Sequence, residues 1–248
     1  MSKPMPCCAS KDTRQIWHIT QRCHKSRFLL DDEVDRLRWR YWLYQAKRRY
    51  RLSVLNYVAT SNHVHLLIQG NGSATLRECM SFINARTAAD FQRRHAHRDP
   101  IWESSFQLTA VQNNAHLARC MTYIDMNMVR AGAVTRPELW QCGGYHESLN
   151  PSRRCSRIDH TALQKLLGFA NVKAMHEARR QWIDDQLLSA ELSRVPYWTD
   201  SVAVGDLAFA LKMKRAFAFA LPKGRAPLHA QREHGCYAVR EATPSYVA

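Results

Sequence analysis

The first 150 residues alternate between two kinds of segment. Short segments are dominated by apolar and β-branched residues, and longer segments have apolar residues at every third or fourth position. The short segments predict strands over 16–20, 52–59, 64–69 and 105–111. The longer segments predict helices over 31–49, 75–94 and 114–130. Thr60-Ser61-Asn62, between the second and third strands, has the length and chemistry of a hairpin connection.

This order of elements, β-α-β-β-α-β-α, predicts an α+β domain. We expect a ferredoxin-like, four-stranded and mostly antiparallel sheet with helices on one face. Turn residues at Gly143-Gly144 and Asn150-Pro151-Ser152 predict that this domain covers 14–150, after an N-terminal tail at 1–13.

A basic and mainly helical extension is expected beyond residue 150, over 151–226. Its periodicity predicts helices over 161–167, 172–192 and 202–219. The segment Pro222-Lys223-Gly224-Arg225-Ala226-Pro227 ends the last helix, because proline cannot continue it. The tail at 227–248 is therefore expected to be poorly ordered.

Positive charge is in large excess over the whole chain of 248 residues. The chain has 36 Lys and Arg against 21 Asp and Glu, which gives a formal net charge of +15. Arginine outnumbers lysine 27 to 9, and a guanidinium can bind phosphate through two parallel hydrogen bonds. The balance favours a nucleic-acid partner. The alternative interpretation is an ordinary basic protein surface without such a partner.

The sequence predicts no membrane span. The longest apolar stretch, 202–221, is interrupted by charged residues and falls short of the roughly 18 clean residues that a span needs. The first ten residues contain no apolar run typical of a signal peptide. A cytoplasmic location is therefore expected, with the eight cysteines as thiols.

Two histidines one residue apart mark the third predicted strand. Because side chains alternate along a strand, His63 and His65 project from the same face, with Cα atoms about 6–7 Å apart. Two imidazoles so placed can share one metal ion. The pair His95 and His97 has the same spacing but lies in a predicted basic loop.

The helix predicted over 114–130 carries polar groups beside its apolar stripe. At about 100° per residue, Tyr123 and Asn127 lie together at the flank of that stripe. Arg119 and Arg130 fall on the same polar side. A phenol, an amide and two guanidiniums are thus expected to face one phosphate backbone.

Two long segments, Tyr57–Leu67 and Tyr123–Gly132, resemble the REP-associated tyrosine transposases, an IS200-like group within the single-tyrosine HUH transposase superfamily. The resemblance extends over about 14–148 and includes Trp17–Thr20, Phe28–Asp32 and Trp102–Phe106. The sequence differs at two places. Met128 follows Asn127 where members commonly have proline, and Trp140–Tyr145 replaces a Trp-Ser-Ser-Tyr-like stretch.

The resemblance implies a metal-dependent endonuclease or strand transferase that cuts single-stranded DNA at hairpin-forming repeats. It implies that His63 and His65 bind Mg²⁺ or Mn²⁺, with Asn127 as a candidate third ligand, and that Tyr123 is the nucleophile. The product would be a 5′-phosphotyrosine and a free 3′-OH. Candidate DNA contacts are Arg119, Arg130, Arg22, Lys25 and Arg27.

Three alternatives remain open at this point. The chain could be a DNA-binding protein whose site is catalytically idle, or an RNA-binding protein that uses exposed aromatics on the sheet, for which Tyr57 and Phe106 are the candidates. The third alternative is a zinc site, which the absence of the usual Cys-x2-Cys spacing disfavours. The sequence is compatible with either a homodimer or a monomer. The residues considered for zinc are Cys142, His146, Cys155 and His160.

Overall fold

The computed structural model describes residues 14–70, 73–151, 155–189, 193–218 and 227–241. Within these ranges the strands form a seven-stranded sheet in the order β2-β3-β1-β4-β5-β7-β6. The strands are β1 (Gln15–Arg22), β2 (Ser53–Ala59), β3 (His63–Gly70), β4 (Gln107–Val111), β5 (Ala203–Gly205), β6 (Leu228–Glu233) and β7 (Cys236–Glu241).

Nine α-helices occur in the same described ranges, and none of them is long and apolar enough to cross a membrane. The helices are α1 (Glu33–Tyr50), α2 (Ser73–His95), α3 (Ala115–Asp125), α4 (Asn127–Arg130), α5 (Gly144–Leu149), α6 (His160–Leu167), α7 (Val172–Leu188), α8 (Tyr197–Asp200) and α9 (Leu207–Ala218).

Local sequence chemistry explains where several helices begin and end. The Asp32 carboxylate accepts a hydrogen bond from the Val34 N–H at the start of α1, and Asn171 does the same for Ala174 in α7. The helix α1 ends at Tyr50, and the next residue, Arg51, adopts a left-handed conformation with φ 51°. The predicted bounds of α1 are therefore close to the observed ones.

The four predicted strands form one antiparallel group, β2-β3-β1-β4. The prediction of a four-stranded sheet is nevertheless wrong, because the sheet continues beyond β4. The short strand β5 pairs in parallel with β4, and the β6–β7 hairpin pairs with β5. The register places His63 opposite Arg22 and His65 opposite Thr20.

Helices cover both faces of the sheet, so the prediction of helices on one face is also wrong. On one face, Gln21 of β1 accepts a hydrogen bond from Asn84 of α2. On the other face, the ring of His18 contacts that of Tyr123 in α3. The six central residues of β1 are buried, as are all residues of β2. Strands buried on both sides need helices on both sides.

The structure does not divide at residue 150. One hydrophobic core contains residues from both sides of this position, including Tyr57 and Trp198. The expected helical extension over 151–226 therefore belongs to the same unit and includes the strand β5. Residues 227–241, expected to belong to a poorly ordered tail, instead form the β6–β7 hairpin. The tails at 1–13 and 242–248, and the predicted break at 222–226, lie outside the described residues.

Candidate metal and nucleophile site

The sequence-predicted ligands and nucleophile line one pocket between the sheet and the helices α3 and α4. The pocket also contains guanidinium groups from three separate parts of the chain. Its lining residues are Arg22, His63, His65, Tyr123, Asn127, Arg130, Ala131, Arg194 and Thr199.

In each of the two histidines, Nδ1 takes part in a hydrogen bond on the side of the ring away from Asn127. His63 Nδ1 lies 2.6 Å from Asn62 Oδ1 at the hairpin connection. His65 Nδ1 lies 2.9 Å from His18 Nε2 and 3.1 Å from Thr20 Oγ1, both on β1. The Nε2 atoms point towards the Asn127 amide, whose Nδ2 lies 3.4 Å from His63 Nε2 and 3.1 Å from His65 Nε2.

The surroundings keep both imidazoles neutral at pH 7. Burial, followed by the neighbouring Arg22, lowers the pKa of His63 to about 4. Burial, followed by His63, lowers the pKa of His65 well below its usual value. A neutral imidazole with a free Nε2 is the form that binds a metal ion. Since an amide offers an oxygen ligand as well, this donor set fits a divalent cation that keeps open positions for other ligands.

Tyr123 lies at a break in the predicted helix. Instead of one helix over 114–130, α3 ends at Asp125 and α4 begins at Asn127, with Met126 at ψ 1° between them. The Tyr123 carbonyl accepts a hydrogen bond of 2.7 Å from Arg130. The same guanidinium lies over the Tyr123 ring, 4.2 Å from its centroid. The break thus brings Arg130 back onto the phenol.

Tyr123 packs against the histidine cluster with its ring. Its ring centroid lies 5.9 Å from that of His65 and 6.2 Å from that of His18. Burial raises the pKa of the Tyr123 phenol, whereas Arg130 and Arg194 act in the opposite direction. The positive groups of the pocket therefore favour the phenolate against the cost of burial.

The five basic residues predicted to contact DNA do not form one surface. Arg22 and Arg130 line the pocket. Lys25 and Arg27 are exposed in the connection after β1, where Arg27 pairs with Asp99 at 3.8 Å. Arg119 points to the β6–β7 turn and does not line the pocket, so Arg119 and Arg130 do not lie on one polar side as an unbroken helix predicts. An unbroken helix would align these two residues, but the break at Met126 redirects Arg130.

Residues 12–127 match the family of IS200-like transposases. The match covers a little under half of the chain. The resemblance to IS200-like transposases that the sequence predicts is thus confirmed over this segment. The IS200-like segment contains both site histidines, Tyr123 and Asn127.

No curated protein matches the chain. Among solved structures, a REP-associated tyrosine transposase bound to a REP hairpin is similar, with 18% identity and a TM-score of 0.47 over 61% of this chain and 87% of that chain. A candidate transposase from Deinococcus radiodurans R1 has 16% identity and a TM-score of 0.35 over 47% of this chain and 93% of that chain.

Several site residues were missed by sequence reasoning, and most lie outside the IS200-like segment. Arg194 and Thr199 enter the pocket from the region around α8. The backbone carbonyl of Trp198 accepts a hydrogen bond of 2.9 Å from His18 Nδ1. His18 and Thr20 carried a usable signal, because they alternate on a strand and pair with the strand of the two histidines.

Two other groups considered as sites have different surroundings. Tyr57, a candidate for stacking on RNA bases, is buried and donates a hydrogen bond of 2.6 Å to Glu147. Among the described residues, one cluster of three His, Cys, Asp or Glu side chains is close enough together to hold a metal ion. This cluster does not include the Cys and His residues considered for zinc. Arg94 already pairs with both carboxylates of this cluster, which consists of Asp32, Asp35 and His95.

Acid should destabilise the protein through its buried histidines. Burial lowers the pKa of His160, beside His176, and that of His18, each to about 4. Below pH 6.5 the unfolded chain binds protons at these groups while the folded chain does not, so stability is lost as the pH falls from about 6.5 towards 4. We expect urea unfolding to give a free energy lower by about 1–2 kcal/mol per such histidine at pH 5 than at pH 7.5.

The variant His160→Phe removes one of these titrating groups at a position where neither ring nitrogen has a hydrogen-bond partner. Its unfolding free energy should therefore depend less steeply on pH than that of the wild type. An identical pH profile for the two proteins would contradict the assignment of the acid sensitivity to this histidine.

Proposed function

We propose that this IS200-like chain is a metal-dependent endonuclease and strand transferase that acts on single-stranded DNA at hairpin-forming repeats. The observation that carries the proposal is the convergence of His63 Nε2, His65 Nε2 and the Asn127 amide in a pocket that Tyr123 also lines. The family supports the transposase class. The net charge of +15 supports a nucleic-acid partner.

In this proposal His63, His65 and Asn127 hold the divalent ion, Mg²⁺ or Mn²⁺. When bound, the ion offsets the negative charge of the scissile phosphate, which eases the approach of an anionic nucleophile. The hydrogen bonds to each Nδ1 orient the rings so that Nε2 faces Asn127. The guanidiniums of Arg22 and Arg194 add positive potential to the same pocket.

The reaction of Tyr123 is a transesterification. Its phenolic oxygen attacks the phosphorus, a new oxygen–phosphorus bond forms, and the bond from phosphorus to the 3′ oxygen breaks. The phenol loses its proton to solvent, and the departing 3′ oxygen takes one up, so that a 5′-phosphotyrosine and a free 3′-OH result. The phosphate ester bond is conserved, and the strand can be rejoined elsewhere without ATP.

The experiment that tests the proposal uses the full chain, Mn²⁺ and a labelled single strand that contains a hairpin. We expect a protein–DNA adduct that survives denaturation and that peptide mapping places on Tyr123. A chain that binds the hairpin but forms no adduct would instead support the catalytically idle DNA-binding alternative. Strand cleavage with the label on another residue would contradict the assignment of the nucleophile.

Arg194 should contribute to DNA binding, because it lines the pocket and its side chain is 58% exposed. We expect Arg194→Ala to weaken binding of the labelled strand and to reduce the slope of log affinity against log salt by about 0.7, the value for one phosphate contact on a single strand. Fluorescence anisotropy at several salt concentrations measures this slope. Arg215→Ala, an exposed arginine on α9 outside the pocket, is the matched control. Equal slopes for the two variants would exclude the contact.

A further inference from the structure

The two candidate ligands differ in how their rings are held. His63 is oriented by Asn62 and Thr60, which belong to its own hairpin. His65 is oriented by His18 and Thr20, which belong to the neighbouring strand β1. His18 in turn is bound to the Trp198 carbonyl, 180 residues further along the chain and outside the IS200-like segment.

The direction of these hydrogen bonds follows from the Trp198 carbonyl. A carbonyl oxygen can only accept, so His18 Nδ1 must carry a hydrogen. Neutral His18 then has a lone pair on Nε2, 2.9 Å from His65 Nδ1. The hydrogen of neutral His65 must therefore lie on Nδ1, which leaves the lone pair on Nε2, on the side of Asn127.

The position of the carbonyl is itself fixed. The Thr109 hydroxyl of β4 lies 3.1 Å from the Trp198 carbonyl oxygen and 2.6 Å from the Ser201 carbonyl oxygen, and its single hydrogen is shared between the two acceptors. The Trp198 side chain is 2% exposed and packs beside the Tyr123 ring, with centroids 6.3 Å apart. The hydrogen-bonded groups that lead from Thr109 through the Trp198 carbonyl and His18 to His65 are thus all buried.

We propose that His18 is a positioning residue through which the Trp198 carbonyl sets the tautomer and orientation of His65. The inference rests on the proposed function, since it takes His65 to be a ligand of the divalent ion. It assigns a role to a C-terminal segment that the family match does not cover: this segment prepares the metal site without providing a ligand. Hydrogen bonds of this kind to metal-binding histidines typically change metal affinity by about 10- to 100-fold.

The first test measures binding of Mn²⁺ alone to the full chain, without DNA, by the loss of the free-ion electron paramagnetic resonance signal. We expect His18→Phe, which keeps an aromatic ring but removes both nitrogens, to weaken Mn²⁺ binding by about 10- to 100-fold. His18→Gln, whose amide can both donate to Trp198 and accept from His65, should restore most of the affinity. His160→Phe is the control for replacing a partly buried histidine elsewhere, and it should bind Mn²⁺ like the wild type.

The second test is independent of any metal. Nitrogen-15 NMR of the histidine side chains in the metal-free protein identifies the tautomer of each neutral imidazole. We expect the Nδ1–H form for His65 in the wild type and a mixture of the two forms in His18→Phe. A merely structural role of His18 would leave this tautomer ratio unchanged.

The outcomes separate the two proposals. If His65→Ala binds Mn²⁺ as well as the wild type does, the proposed function fails. The NMR comparison of the wild type with His18→Phe then still tests whether His18 sets the tautomer of His65. If His65→Ala loses Mn²⁺ but His18→Phe does not, the metal site stands and the positioning role of His18 is overturned. An Nε2–H form of His65 in the wild type would overturn it as well.

Discussion

Replacing Tyr123 by phenylalanine should abolish the covalent adduct with a hairpin single strand. The phenylalanine ring fills the same buried space, since Tyr123 is 7% exposed, and it keeps the contact with the Arg130 guanidinium. Only the attacking oxygen is lost. Because no other group in the reaction can form the phosphotyrosine, we expect adduct formation to fall by a factor on the order of 10³ or more. A denaturing gel of protein and labelled DNA measures it.

The matched control is Tyr145→Phe, which removes the hydroxyl of another buried tyrosine, on α5 and outside the pocket. This variant should form the adduct as the wild type does. Both variants should still bind the hairpin, because neither change removes a positive charge. If Tyr123→Phe forms the adduct at the rate of the wild type, Tyr123 is not the nucleophile and the proposed reaction is wrong.

Local periodicity predicted two pairs of site residues, whereas only the resemblance to the tyrosine transposases implied that the pairs meet in one site. The alternation of a strand places His63 and His65 on one face, and the helical repeat places Tyr123 and Asn127 one turn apart. The structure brings all four to one pocket. The break at Met126 could not be foreseen from these repeats, and it decides where Arg130 lies.

The second half of the sheet was beyond prediction for a different reason. The strand β5 has three residues, too few for a period to be visible. The β6–β7 hairpin turns at His234-Gly235, with φ of 46° and 75°, and its outer strand β6 is mostly polar and exposed. Trp198 contributes to the site through a backbone carbonyl, which every residue has, so no residue type could signal it.

The network around Arg179 also joins parts of the chain on the two sides of the boundary predicted at residue 150. Arg179 on α7 is 1% exposed, and its Nε and Nη2 lie 2.9 and 2.8 Å from the two carboxylate oxygens of Asp125 at the end of α3. It also donates hydrogen bonds to Asn56 on β2 and Ser148 on α5. Asp125 lies between Tyr123 and Asn127 in sequence, so this ion pair fixes the end of the helix that carries Tyr123.

Replacing Arg179 by methionine should destabilise the fold by about 3–5 kcal/mol, because the Asp125 carboxylate is then buried without its cationic partner. Urea unfolding followed by circular dichroism measures the loss. Arg180→Met, the exposed neighbour on the same helix, should change stability by less than about 0.5 kcal/mol. In the double variant Arg179→Met, Asp125→Leu, neither charge of the buried pair is present. Much of the free energy of unfolding lost in Arg179→Met should therefore be regained. Equal stability of Arg179→Met and Arg180→Met would show that the buried pair does not hold α3 against α7 and β2.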